Sequence, residues 1–249
     1  ATSMDNNKKR VILRKCLAFA KGKGFDADPI IVKHITVTRM TESIRSDLFQ
    51  YVMTRRQKSS NITPLLNFAK TTSEIGSATQ AVKAAQACTR GSHADEYISD
   101  FLDLINNTEA ESVRVAAGKA AGELIGASEN KEKFSSITIG FYDSAVDDSA
   151  KFALLRLLGT AGGDKASKVV NKALASDDPA LQNAAISALG QWANDSEFEN
   201  LTSFITNTDS NKLRKKAFAA AYSFLRLNSV HDSADLADLW RAFSASAQS

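Results

Sequence analysis

The sequence predicts an all-α protein: a right-handed α-α superhelix of about six helical pairs. Three observations carry this. One alanine-rich helical frame recurs along the chain. Its anchoring residues, Ile12, Ile44, Ile75, Val113, Ala150, Leu181 and Leu213, are spaced by 31 to 38 residues. Three prolines and twelve glycines in 249 residues leave little material for loops. Recurrence at this period marks stacked helical units, each too small to bury its own apolar face.

The clearest copy runs from Asp178 to Ala193, DPALQNAAISALGQWA. Asp178 can accept hydrogen bonds from free first-turn amides, and Pro179 suits the first helical position. Leu181, Ala184, Ala185, Ala188 and Leu189 then follow at steps of three and four, the helical period. Gly190 closes the frame, where close packing or the helix end calls for it. Related copies open at Glu42, Glu111, Asp148 and Asn211, and the poorest contains Ile12, Cys16 and Phe19.

Taken in order, Lys8 to Ala20 reads as a helix with a basic flank. Pro29 to Val37 is β-branched and suits a strand on local propensity, but the repeat asks for a helix there. Helices are then expected over 42–56, 62–70, 73–89, 92–105, 111–125, 130–142, 148–158, 164–175, 179–193, 196–205 and 211–225. Gly159 to Asp164 reads as an inter-helix turn, and Arg90 lies near a helix end. A last helix, 233–245, carries Leu236, Leu239, Trp240 and Phe243 and is expected to cover the end of the stack. Residues 1–59 form divergent basic repeats, 60–227 the regular ones, and 228–249 a capping helix and tail.

The pattern of an acidic residue or proline, then Val/Leu-Arg, then Ala-Ala and Ala-Leu-Gly resembles the HEAT repeat. It stands as Glu111-Ser-Val113-Arg114 to Gly122, and as Asp178-Pro-Ala-Leu181 to Gly190. The nearest form is the short, alanine-rich one of bacterial phycobilin-lyase-type HEAT proteins. The likeness is good over 60–227 and poor over 1–59. It implies binding and scaffolding. No motif here carries over the pigment attachment of the lyase members. Tetratricopeptide and ankyrin signatures are absent.

Net charge is +3, but residues 1–58 hold +8 and the remainder −5. Such asymmetry marks either a solvated basic end or an electrostatic docking site. Arg45, Arg114, Lys151 and Arg214 share one repeat position, with Gly76 and Gln182 interrupting. This ladder reads first as a packing device answered by Glu111, Asp148, Asp178 and Asp209. Its second reading is a ligand-binding basic stripe. The exposed face of the second helices should present Lys83, Lys119, Arg156, Gln182, Lys215 and Lys216, and the resemblance puts binding on that concave face.

Catalytic residues, metal ligands and cofactors are not expected. His34, His93 and His231 fall in different repeats. Cys16 and Cys88, both expected to be buried, are too far apart for a disulfide and lack metal-site spacing. Trp192 with Asp195 weakly matches HEAT-like alkylpurine glycosylases and is better explained as packing and a helix start. No apolar run spans a membrane. No signal peptide is visible, and a first residue of alanine leaves cytoplasmic and exported locations open. The expected role is a non-catalytic scaffold for a protein partner. The alternative is a nucleic-acid-binding HEAT-like protein, with a glycosylase-like activity as its enzymatic form.

Overall fold

A computed structural model describes residues 5–23, 27–37, 40–55, 59–89, 94–224, 227, 229–230 and 232–246. Every regular element among them is helical. Arg90, His93 and His231 lie outside the described residues. The chain divides into two compact units, Ala1–Ala120 and Ala121–Ser249.

The first unit contains α1 (Asn6–Gly22), α2 (Asp28–Val37), α3 (Glu42–Arg55), α4 (Ile62–Thr71), α5 (Ile75–Cys88), α6 (Ile98–Asn107) and the start of α7 (Glu111–Ala127). Short 3-10 turns at Ser59–Asn61 and Ala94–Tyr97 lead into α4 and α6. The β-branched stretch is the helix α2, because Ile31, Val32 and Ile35 share one buried face. Tertiary burial overrides local strand preference here. In α6, Ile98, Phe101, Leu102 and Ile105 are buried at helical spacing while Ser99 stays exposed. Helices α2 and α4 pack against α3 and α5 respectively, and α3 packs against α5.

The second unit contains the end of α7, then α8 (Lys131–Ser144), α9 (Asp148–Ala161), α10 (Asp164–Leu174), α11 (Pro179–Leu189), α12 (Phe198–Asn207), α13 (Asn211–Ser223) and α14 (Ser233–Ser246). Side-chain caps fix four of these starts, the last by Asp232, which accepts from the amides of Ala234 and Asp235. Asp147 accepts from the amides of Ser149 and Ala150, Asp178 from that of Ala180, and Ser210 from that of Leu213. The expected turn before α10 is built by Gly162 and Gly163, with φ of 66° and 86°. Side chains rarely adopt that conformation. Helix α8 packs on α9, α10 on α11 and α12 on α13, while α9, α11 and α13 also touch in succession. Helix α14 lies on α12, where Trp240 and Phe243 meet Phe198 at ring-centroid distances of 4.5 and 5.5 Å.

One numbering describes the second helix of every pair. The seventh residues of α3, α5, α7, α9, α11 and α13 are Leu48, Ala81, Ala117, Leu154, Ala185 and Ala217, and all are buried. The eleventh residues, Val52, Ala85, Ala121, Leu158, Leu189 and Ala221, are buried too. This corrects two expected anchors. Ile75 is the first residue of α5, not its third, and is 57% exposed. The third residue is the buried Ser77, whose hydroxyl donates to the Glu74 carboxylate at 2.9 Å. Ile12, likewise, is the seventh residue of α1, and there it is exposed. Cys16 and Phe19, farther along the same side of α1, are exposed as well. The expectation that both cysteines are buried is corrected here: Cys88 is, Cys16 is not.

Candidate functional site

The ladder falls at the fourth residue of the second helices, and the structure shows what it does. Arg114 is 5% exposed. Its guanidinium donates to the carbonyls of Ile105 and Thr108 at 3.3 and 2.6 Å and to the Glu111 carboxylate at 2.8 Å. The fork therefore ties the end of α6 and its turn to the start of α7. A fixed planar array of donors suits this task. Arg214 repeats the bond, donating to the Thr208 carbonyl at 2.5 Å. Arg45, 6% exposed, pairs with Glu74 at 3.3 Å and sits over the Phe68 ring at 5.1 Å. Lys151 pairs with Asp148 at 3.9 Å. Arg45 and Arg114 thus join helices, and Lys151 and Arg214 lie half-buried at the same seam.

Of the other predicted residues, Gln182 keeps the ladder position on α11, and the rest lie elsewhere on their helices. Lys83, Lys119, Arg156 and Lys215 are exposed, while Gln182 and Lys216 are half-buried. In the first unit, Lys83 and Lys119 each take the ninth position of their helix. In the second unit, Arg156 takes the ninth position of α9. The surface there is organised by polar contacts between α11 and α13. Lys216 donates to the Asn183 carbonyl at 2.9 Å, to Asn183 Oδ1 at 2.6 Å and to Ser187 Oγ at 2.5 Å. Burial, then the charges of Arg156 and Lys212, push its ammonium below the usual lysine range.

Three cations from α9 and α13 therefore act on one patch, with Asn183 and Ser187 of α11 between them. Lys216 was expected to be exposed and is instead half-buried. Its tethering to Asn183 and Ser187 was not legible, since that requires knowing which positions of successive helices meet. The patch can attract an anionic group by charge, with Arg156 and Lys212 as the donors, since the three N–H groups of Lys216 are engaged by Asn183 and Ser187.

Trp192 and Asp195 are both buried. Trp192 belongs to the core with Leu189 and Phe198. Asp195 accepts the Val230 amide at 2.7 Å, fastening the segment before α14. Among the described residues, no three His, Cys, Asp or Glu side chains are placed to hold a metal ion. No helix among them is long and apolar enough to cross a membrane.

No family model matches the sequence. No curated protein matches it either. The crystal structure of an engineered protein is similar at 17% identity with a TM-score of 0.45, over 83% of this chain and 100% of that one.

Proposed function

We propose that the helical pairs form a HEAT-like right-handed superhelix acting as a non-catalytic scaffold for a protein partner. The exposed face of the second helices would be the docking surface. An acidic segment of the partner would sit on the patch of Arg156, Lys212 and Lys216. The observation that carries this reading is the exposure of Arg156 on α9 and of Lys212 and Lys215 on α13. With them stands a half-buried Lys216 tied to Asn183 and Ser187 of α11, whose charged form burial and then the charges of Arg156 and Lys212 disfavour. An incoming carboxylate would relieve that repulsion.

The test is site-specific photocrosslinking in cells of the source organism. A benzoylphenylalanine replaces Arg156 in one variant and Glu132 of α8 in another. A discrete protein adduct at 156, absent at 132 and insensitive to nuclease, is the expected result. A nuclease-sensitive adduct at 156 would move the reading to nucleic acid, whose binding should also weaken steeply with salt. Equal labelling at both positions would remove the second-helix face from consideration.

A further inference from the structure

A cleft of about 470 Å³ opens within the second unit, between the end of α8, one side of α10 and the start of α11. Two repeat positions that are shut elsewhere are open there. Leu181, the third residue of α11, is half-buried, whereas Val113, Ala150 and Leu213 in the same place are buried. Tyr142, three residues before the C-cap of α8, is half-buried, whereas Ile105 and Ile205 at that place in α6 and α12 are buried. The cause lies in α10. It buries Ala166, Val170, Ala173 and Leu174, where α6 buries Ile98, Phe101, Leu102, Leu104 and Ile105. Less bulk on α10 leaves a gap against α8 and α11.

The floor of the cleft is apolar. Tyr142, Val169 and Leu181 rest against the core of the unit and keep part of their surface in the opening. The rim is charged. Lys168 and Lys172 are exposed, and with Ser176 they fall at steps of four, so they stand in one row along α10 and its end. The Ser176 hydroxyl accepts the Asp178 amide at 3.1 Å and keeps its own proton to donate. On the α8 side stands Asp143, exposed. Neither lysine forms an ion pair among the described residues, and neither does Asp143. One turn back along α8 is Gly140, where an added Cβ would meet nothing within 4 Å. Near the helix starts the seam closes, as Lys165 donates to Ser136 at 3.2 Å.

The two sides of the rim are unequal, and this narrows what fits. Two cations against one anion leave a charge of +1, and Ser176 adds a donor beside the lysines. A cation would meet two like charges on α10. A neutral apolar guest would gain nothing from the row. An anion on an apolar body gains from both parts of the cleft. Burial, then the charge of Asp143, hold the Tyr142 phenol above the usual tyrosine range, so it stays protonated and can also donate. A mostly apolar lining with a few convergent polar groups, at a volume between about 300 and 1,000 Å³, is the form that small-molecule sites take.

We propose that this cleft binds a single carboxylate carried on a small aromatic or branched apolar body. The carboxylate accepts hydrogen bonds from Lys168, Lys172 and Ser176, and the two from lysine are charge-assisted. The body lies on Tyr142, Val169 and Leu181. Asp143 on the opposite rim repels a second anionic group, so a monocarboxylate is preferred to a dicarboxylate. A free small acid and the C-terminal residue of a peptide share this chemistry. The site is built mainly by the first helices α8 and α10. It is separate from the basic patch on α9 and α13, and either proposal can fail without the other.

The test follows the backbone amides of Tyr142, Lys172 and Leu181 by NMR in the full chain. The probes are 3-phenylpropionate and its uncharged amide, 3-phenylpropanamide. The acid should shift these amides saturably and bind roughly tenfold more tightly than the amide, the scale of one charge-assisted hydrogen bond. Lys168→Gln combined with Lys172→Gln alters two exposed positions. It should abolish that difference without changing the circular dichroism. Acetyl-Gly-Gly-Phe with a free C-terminus separates the two sources. Binding at least as tight as that of 3-phenylpropionate supports a chain terminus as the occupant, and failure of the peptide where the acid binds supports a free acid. Absence of shifts at these amides with both the acid and the peptide overturns the proposal. Equal binding of acid and amide does so too, as does acid binding that survives the loss of both lysines. Preference for phenethylamine would make Asp143 the anchor, and shifts confined to α13 would put the acid on the second-helix patch. Either result overturns the carboxylate cleft.

Discussion

Gly159 of α9 lies against the main chain of Ala188 in α11. A Cβ built at Gly159 would collide with the Ala188 carbonyl and would meet its Cα at 2.8 Å. The contact is one of a series, since the same position is Gly122 facing Leu157 and Gly190 facing the Ala220 side chain. Glycine at the twelfth residue lets successive second helices approach until backbone meets side chain. The obstruction at Gly159 is backbone, which a rotamer change cannot clear. Gly159→Ala should therefore destabilise the second unit by about 3 kcal/mol, despite alanine's better helix propensity. Gly140 in α8 has nothing within 4 Å of an added Cβ. Gly140→Ala should stabilise by about 0.5–1 kcal/mol. Urea unfolding of both variants checks the pair, and a neutral Gly159→Ala would mean that α9 and α11 do not approach this closely.

Arg114 makes a second prediction. Its three acceptors belong to α6, the turn and the first residue of α7. Truncation leaves the buried Ile105 carbonyl without this donor. Arg114→Ala should cost about 3 kcal/mol, because charged hydrogen bonds in a buried site are lost together. Arg114→Lys should recover less than half, since an ammonium cannot span acceptors set in a fork. Full rescue by lysine, measured by thermal and urea unfolding, would show that charge alone matters there.

The sequence made the helices legible because alanine, leucine and acidic starts recur with the helical period. Asp147, Asp178 and Ser210 cap their helices through local bonds that one segment suffices to specify. The placement of Ile75 was not legible. A two-residue shift in where α5 starts costs nothing in local pattern, and only the burial of Ser77 and Ala78 reveals it. Of the candidate patch, periodicity named the exposed Arg156, named Lys216 but not its half-burial, and passed over Lys212. What could not be read was Lys216 bonding to Asn183 and Ser187, some thirty residues away, because nothing in either segment specifies the other. The exposure of Ile12 and Phe19 was hidden for the opposite reason. Their local pattern is that of a buried helix, and exposure depends on a neighbour that periodicity does not supply.

Lys216 supplies a third prediction. Burial and the nearby cations favour its neutral form in the folded chain. The unfolded chain thus binds this proton more tightly, so stability should rise with pH between the depressed folded value and 10.5. Arg156→Gln removes one of the repelling charges and should move the Lys216 titration upward, as followed by NMR at Nζ. An unchanged midpoint would separate Arg156 from the patch.

Asp47 supplies the last. The hydrogen bond from Arg10, at 2.7 Å from Nε to Oδ2, is the largest influence on its carboxyl, and Arg14 adds another at 2.8 Å. Together they outweigh partial burial and hold the carboxyl down at about 2, against 3.8 when free. The folded value lies below the unfolded one. The carboxylate's contribution is therefore complete above the unfolded value and is lost as pH falls through about 2. Because Asp47 is the bonded link between α1 and α3, acid should loosen α1 first. A carboxyl-detected NMR titration should give a midpoint near the depressed value, and one at the ordinary aspartate value would remove the pair from the docking of α1. At neutral pH, Asp47→Asn keeps the shape and discards the charge. Amide exchange in α1 should then accelerate while α9 to α13 stay protected, since charge-assisted bonds are the stronger ones. Uniform acceleration along the chain would instead make Asp47 a determinant of global stability, and α1 would not be an independently detachable helix.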